Sequence, residues 1–181
     1  MKKINDEVFF ADESIVRLRN HDISFLKDKA QLSKRKRARI CTHRSNDDGL
    51  HEMLIAIYAD SYIHPHKHTS KIESFHIIEG LVDIVVFNDD GAIFDVVRMG
   101  AFSTGKSFYY RLSDSLFHTL LIKSEFLIVH EVTNGPFVAD ETILAPFAPL
   151  ESRYDEVLTY VADLKHIVAN HLSITHEKQQ K

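Results

Sequence analysis

The sequence has very little cysteine. Cys41 is the only one among 181 residues, so no disulfide can form within the chain. This excludes the small secreted scaffolds that disulfides hold together, and it favours a reducing compartment such as the cytoplasm. Because the sequence identifies no histidine or aspartate as a catalytic partner of Cys41, we expect a buried and inert thiol.

Long apolar runs are also missing. No segment approaches the ~20 apolar residues of a membrane-spanning helix. After Lys2 and Lys3, the apolar stretch covers only residues 8–11, whereas a secretory signal has a run of roughly 7–15 such residues. We therefore expect neither a membrane segment nor a secretory signal.

An excess of positive charge is absent as well. The chain has 22 Lys and Arg against 26 Asp and Glu, a formal net charge of −4. Nucleic-acid binding draws most of its affinity from neutralised phosphates, so it is not expected, and the basic run at 34–39 is too short to change this. The chain is 44% hydrophobic and 27% charged, which indicates one globular domain with a sizeable core.

Residues 37–150 show short apolar runs separated by turn-forming residues, such as the Asn-Asp-Asp-Gly sequence at 88–91, which predicts a hairpin turn. This predicts an all-β domain, either a sandwich or an antiparallel barrel. Arg37, Arg39 and His43 alternate with less polar residues, which predicts an edge strand whose basic face binds an anion or is simply solvated. The other predicted strands cover residues 53–58, 75–78, 81–87, 93–97, 108–112, 119–122 and 126–132.

Helical patterns occur at both ends of the chain. Apolar residues between 23 and 30 predict a short amphipathic helix with Asp22 as its N-cap. Residues 151–172 repeat apolar positions at helical spacing, which predicts a long amphipathic helix followed by a tail to residue 181. Its apolar stripe packs either on the β domain or on a second copy of the chain, and we expect a homodimer. The predicted organisation is an N-terminal segment at 1–36, a β domain at 37–150, and a C-terminal helix and tail at 151–181.

Histidine is frequent, with 12 copies, and it is the commonest metal ligand. His66 and His68 are two residues apart, so they point to the same side of an extended chain, and His64 has the same parity. Glu73 follows five positions after His68, and His118 begins a later predicted strand. Imidazole and carboxylate ligands together suit a divalent metal ion such as Zn, Fe, Mn or Ni. The alternative is a polar turn with surface histidines and, for His118, a histidine at the rim of the domain.

The His-Lys-His at 66–68, with Glu73 and Gly80 downstream, resembles the first sequence motif of the cupin superfamily, and His118 resembles the histidine of the second motif. More closely, residues 35–150 resemble the cupin-fold metalloprotein family named WbuC, often found in bacterial O-antigen gene clusters. This resemblance implies a single jelly-roll antiparallel β-barrel with a divalent metal ion at its centre. The implied metal ligands are His66, His68, Glu73 and His118. The stretches that carry the resemblance are residues 35–39, 52–56, 65–68, 73–80, 108–112 and 131–137.

Three further residues are candidates for the pocket that such a metal site faces. His64 shares its strand parity with the histidines that follow it and is a candidate acid or base, or a rim residue. Tyr109 and Arg111 share a parity on one predicted strand. Tyr109 could transfer a proton, and Arg111 could pair with a carboxylate or phosphate of a substrate. Their alternative is a strand face that meets solvent or the C-terminal helix. His76 has the opposite parity to Glu73, so we expect it to face away from the metal.

Two classes of function are consistent with these features. The first is a metalloenzyme acting on a small polar molecule, whose oxygen the metal would polarise; the family resemblance implies a sugar or nucleotide-sugar ligand. The second is a non-catalytic, metal-dependent module that binds or senses a small carbohydrate or anionic molecule and passes the signal through its C-terminal helix. A structural metal is a third alternative, but structural sites are usually closed by Cys and His alone.

Overall fold

The computed structural model describes residues 1–179, with side chains described as far as residue 174. It contains twelve β-strands and two α-helices, with short 3-10 turns at Phe102–Thr104 and Ala139–Glu141. The helices are α1 (Asn20–Leu32) and α2 (Tyr154–Gln179). The strands are β1 (Lys2–Lys3), β2 (Val8–Phe10), β3 (Arg37–Cys41), β4 (Leu50–Tyr58), β5 (His66–His68), β6 (Glu73–Glu79), β7 (Leu81–Phe87), β8 (Ile93–Gly100), β9 (Tyr109–Leu112), β10 (Phe117–Ile122), β11 (Phe126–Asn134) and β12 (Thr142–Leu144).

The strands form two sheets that face each other. One has seven strands in the order β1-β2-β3-β4-β11-β6-β9, and the other has five in the order β12-β5-β10-β7-β8. All strand pairs are antiparallel except β2 with β3, which is parallel. The prediction of an all-β fold with one helix before it and one after it is confirmed. The predicted closed barrel is not observed, because among residues 1–179 the strands form two separate hydrogen-bonded sheets.

Four short strands have no counterpart among the predicted ones. They are too short, at two or three residues, to show an alternating apolar pattern. Two of them matter for the site, since β5 carries two of the candidate ligands and β12 pairs with it. The others add the N-terminal segment to the edge of the larger sheet.

Three apolar layers hold the fold together, and strand alternation produces them. In β4, Met53, Ile55 and Ile57 face the space between the sheets, whereas Leu54 and Ala56 face outward to α1. The outer face of the smaller sheet carries a third layer, in which Leu164 of α2 packs. Both sheets are therefore buried on two sides over much of their area.

The start of α1 differs by three residues from the predicted one. The helix begins at Asn20, and Asp22 is its third residue rather than its N-cap. The Asp22 carboxylate still caps the helix, because it accepts a hydrogen bond of 2.7 Å from the backbone N–H of Arg19. The predicted apolar positions are correct, since Leu26 and Ala30 are fully buried against the larger sheet.

Helix α2 packs within its own chain. Leu164 and Val168 are 4% and 3% exposed, and they contact residues on the outer face of the smaller sheet such as Phe117 and Leu121. The helix ends later than predicted, since the apolar pattern covered residues 151–172 and α2 runs to Gln179. Residues 180 and 181, the end of the predicted tail, lie outside the described residues. Neither helix within residues 1–179 has the length and apolar character needed to cross a membrane.

Candidate metal centre

Four side chains that the sequence singled out converge between the two sheets. One potential ligand atom from each of His66, His68, Glu73 and His118 lies within 4.8 Å of all the others. His66 and His68 come from β5, and His118 comes from the neighbouring β10, where it lies directly opposite His66. Glu73 is the first residue of β6 in the other sheet. The cluster therefore joins the two sheets at one point.

Each imidazole is oriented by a contact at its Nδ1. The Nδ1–H of His66 donates to the backbone carbonyl of His64 at 2.9 Å, and that of His118 donates to the carbonyl of Leu116 at 3.0 Å. Nδ1 of His68 lies 3.1 Å from the Thr142 hydroxyl on β12. Because the Nδ1 atoms are engaged, the Nε2 atoms are left to face the centre of the cluster. Metal-binding histidines are typically held in this way by a partner on their second nitrogen.

Glu73 faces these imidazoles with both carboxylate oxygens. Oε1 lies 3.3 Å from Nε2 of His118, and Oε2 lies 3.6 Å from Nε2 of His68. Glu73 is only 4% exposed, and its Oε1 makes no hydrogen bond within the described residues. A buried carboxylate oxygen without such a bond is costly. A divalent cation among the four atoms would remove that cost, so the residues present fit a metal ion.

Electrostatics favour the metal-binding protonation states of Glu73 and His66, and they act in the opposite direction on His118. Burial disfavours the carboxylate of Glu73, but His118 and then His68 outweigh it and hold the pKa of Glu73 well below its usual range. Burial, followed by the charge of His118, lowers the pKa of His66 to about 4. Burial likewise disfavours the imidazolium of His118, but Glu73 raises the pKa of His118 overall. A cation would compete with the proton for that nitrogen.

A cavity of about 760 Å³ opens over the cluster. Its walls carry His64, Arg37 and Arg39, as well as apolar side chains from the inner face of the larger sheet. The Arg37 guanidinium donates to the backbone carbonyl of Tyr62 at 3.2 Å, and its Nη2 lies 3.6 Å from Oε1 of Glu151. The predicted basic face of β3 therefore borders the cavity.

Of the three predicted pocket residues, the structure places one in the cavity wall and two outside the cavity. His64 lies in the cavity wall, with its Nε2 buried and without a hydrogen bond in the described residues. Tyr109 and Arg111 do not line the cavity, which corrects that prediction. They lie on the outer face of the larger sheet, where Tyr109 is opposite His76, and the alternate residue Tyr110 points inward instead. His76 is exposed on the outer face, as its parity predicted.

Several residues of the cavity were not singled out from the sequence. Glu131 lies in its wall, and burial, followed by the charge of Glu73, raises the pKa of Glu131 to about 8. Its position on β11 shares the parity of the buried Leu127 and Val129, so a charged residue on an inward face was the available signal. Lys71 also lines the cavity, but it lies in a connector, where no strand parity applies.

Comparison with known proteins gives limited similarity. A family model described as a domain of unknown function, DUF6016, matches residues 18–99. No curated protein sequence matches the chain.

Solved structures give similarity to part of the chain. A protein from Shewanella oneidensis is 13% identical with a TM-score of 0.49, over 57% of this chain and 70% of its own. Oxalate decarboxylase of Lactobacillus farciminis, as a formate complex, is 18% identical with a TM-score of 0.43, over 54% of this chain and 27% of its own. The cupin domain of Schizosaccharomyces pombe Cnp3 is 11% identical with a TM-score of 0.43, over 55% and 61%. The matched region is thus less than two thirds of the second and third of these proteins.

Proposed function

We propose that this chain is a cupin-type metal-binding protein in which His66, His68, Glu73 and His118 hold one divalent cation. The observation that carries the proposal is the convergence of three imidazoles and one carboxylate within 4.8 Å, contributed by both sheets. The buried Oε1 of Glu73 supports it, because this oxygen makes no hydrogen bond within the described residues and faces an imidazole nitrogen that would bind the cation. The ligand set suits Zn, Fe, Mn or Ni and does not distinguish among them.

The cavity indicates the kind of molecule that reaches this centre. Its volume of about 760 Å³ lies within the range of small-molecule sites. A metal with an open position would polarise an oxygen of the ligand or activate a water molecule. His64 and the carboxyl of Glu131 are two of the cavity groups able to hold or move a proton. The ligand we propose is a small polar molecule, a sugar or nucleotide-sugar, as the resemblance to the WbuC family and its O-antigen gene clusters implies.

A second candidate function is non-catalytic binding or sensing. One structural relationship favours it: β10 carries His118 on its inner side and Phe117 and Leu121 on its outer side, where α2 packs. A change at the metal centre would therefore reach α2 through a single strand. In this case the ligand would be held without turnover, and a homodimer formed in the cytoplasm would transmit the change.

The decisive experiment measures metal content by plasma mass spectrometry. The full chain is purified without a chelator or a histidine tag, beside the double variant His66→Ala/His68→Ala. The matched control is His76→Ala/His130→Ala, which removes two histidines that lie opposite each other on the outer face of the larger sheet. We expect about one metal equivalent in the wild type and the control, and loss of that metal in the double variant.

The same measurement identifies the metal and can overturn the proposal. Iron or manganese directs assays toward redox or isomerase substrates, and zinc toward hydrolysis or binding. An unloaded wild type that takes up no metal after incubation with Zn²⁺, Mn²⁺, Fe²⁺ or Ni²⁺ would contradict the proposal. Equal metal content in the wild type and the double variant would contradict the assignment of the ligands.

A further inference from the structure

Four cationic side chains line the cavity, and two of them are neutralised. Arg35 donates through Nε to Oε2 of Glu7 at 2.7 Å, and Arg37 lies 3.6 Å from Glu151. The other two cations are Arg39 and Lys71. Among the described side chains, neither of these has a carboxylate within the 4.0 Å of a salt bridge. The cavity therefore presents two positive charges that the protein leaves available.

Lys71 is the more informative of the two. Its side chain is only 9% exposed, although lysine is rarely buried unless it is paired. Its Nζ lies 4.9 Å from the ring centroid of Phe137, and among the described residues it makes no hydrogen bond or salt bridge. A cation–π contact offsets only part of the cost of removing an ammonium group from water. An anion in the cavity would supply the partner that the chain does not.

Arg39 approaches the same region from another element. It lies on β3, on the same face as Arg37 and Cys41, and it is exposed at the cavity. Both Arg39 and Lys71 act electrostatically on Glu131, as do Glu73 and His118. Glu131, the two free cations and the candidate metal ligands Glu73 and His118 all line the same cavity. This relationship places the cations and the metal centre on one cavity.

We propose that Lys71 and Arg39 bind anionic groups, carboxylate or phosphate, of the same small molecule whose other polar end reaches the metal centre. The ammonium of Lys71 offers three donors to such a group, and the guanidinium of Arg39 offers a planar fork that pairs with two of its oxygens. The inference rests on the proposed function in one respect, the shared cavity. It narrows the ligand to an anionic molecule and excludes a neutral sugar.

The test measures anion binding by titration calorimetry, with inorganic phosphate in one arm and succinate in the other. The full chain is used in two forms, loaded with Zn²⁺ and stripped by a chelator, because an anion can also coordinate a metal directly. The variants are Lys71→Met, which keeps the length of the side chain, and Arg39→Gln. The matched controls are Lys106→Met and Arg111→Gln, two exposed cations away from the cavity.

We expect at least one of the anions to bind the wild type, and the two cavity variants to weaken that binding by about tenfold or more. The controls should bind as the wild type does, and Lys71→Arg should restore most of the affinity. Thermal unfolding of each variant shows that the fold is intact. The arm that responds tells whether the group is a phosphate or a carboxylate.

Two outcomes overturn the inference: neither anion binds either form of the wild type, or Lys71→Met binds both anions with unchanged affinity. These outcomes differ from a failure of the proposed function. Anion binding that depends on Lys71 in the stripped protein supports the inference even if no metal is ever bound. Metal content that depends on His66 and His68, without any anion binding, supports the proposed function alone.

Discussion

The hydroxyl of Thr142 lies 3.1 Å from Nδ1 of His68 and connects a candidate ligand to a short strand 74 residues further along the chain. Thr142 is opposite His68 in the pairing of β12 with β5. This contact orients the ring of His68. The other two imidazoles of the cluster are instead oriented by backbone carbonyls of residues close to them in the sequence. The segment before α2 is thus part of the candidate metal site.

Replacing Thr142 by Val should weaken metal binding while preserving the fold. The change keeps the β-branched shape and removes only the hydroxyl, and loss of such a supporting contact typically costs roughly 10–100-fold in metal affinity. Competition with a chromogenic zinc chelator measures it. Thr142→Ser should retain the zinc affinity. Thr159→Val, which removes a hydroxyl from an exposed position of α2, is the control. Unchanged zinc affinity in Thr142→Val would show that the hydroxyl does not position His68.

Local spacing was enough to pair two of the candidate ligands, His66 and His68. Alternation places His66 and His68 on one side of an extended segment, and both do lie on β5 with their rings in the cluster. His118 and Glu73 come from two different sheets, so their approach depends on the topology. Their positions in the sequence made them candidates, and the resemblance to a known motif implied that they join the histidine pair.

The wall of the cavity was harder to predict, for physical reasons. In β9 the sequence Tyr-Tyr-Arg-Leu gives no apolar alternation, so parity alone could not decide whether Tyr109 or Tyr110 faces inward. The pairing with β6 decides it, because Phe75 lies opposite Tyr110 on the inner side. Lys71 and Thr142 were missed because connectors and three-residue strands carry no periodic signal.

The turn between β6 and β7 requires the conformational freedom and small size of Gly80. Its φ is +94°, and a Cβ there would overlap the carbonyl oxygen of Phe126 and lie 2.6 Å from Oγ of Ser124. Gly80→Ala should therefore lower the free energy of unfolding by more than about 1 kcal/mol, since both the strained backbone and the clash add to the cost. Urea unfolding followed by circular dichroism measures the loss.

Two other glycines separate these contributions. Gly105 also has a positive φ, +69°, but nothing lies within 4 Å of its added Cβ, so Gly105→Ala should cost only the backbone strain, about 1 kcal/mol. Gly49 has open space and no positive φ, so Gly49→Ala should leave stability within about 0.5 kcal/mol of the wild type or raise it. A smaller loss for Gly80 than for Gly105 would refute the clash.

Leu164 should carry much of the docking of α2. It is 4% exposed against the smaller sheet, so Leu164→Ala should destabilise the chain by roughly 2–5 kcal/mol through lost burial and the cavity left behind. Leu158, on the same helix, is 53% exposed, and Leu158→Ala should change stability by less than about 0.5 kcal/mol. Because α2 packs within the chain, the effect of Leu164→Ala should not depend on protein concentration. If the destabilisation by Leu164→Ala changed with protein concentration, this face of α2 would instead lie in an interface between two copies of the chain.

Glu131 should make the metal-free protein lose stability as the pH rises. Burial and then the charge of Glu73 raise the pKa of Glu131 from 4.5 to about 8 in the folded chain. Between those two values the folded state binds more protons than the unfolded state, so the contribution of Glu131 is fully present below the unfolded pKa and is lost as the pH rises through the folded pKa. Glu131→Gln should remove this decline and be more stable than the wild type above about pH 8.

The comparison between wild type and Glu131→Gln isolates this group, because every other ionisable side chain is present in both proteins. Chelator-treated protein is unfolded in urea at about pH 5 and at about pH 8.5, on either side of most of the transition. The stability of the wild type relative to Glu131→Gln should fall between the two conditions. Glu79→Gln, which changes an exposed carboxylate on the neighbouring strand, should show the wild-type dependence. A difference that stays constant or rises with pH would mean that the carboxyl of Glu131 is already ionised in the cavity, where it would neutralise Lys71 or Arg39 and compete with an anionic ligand.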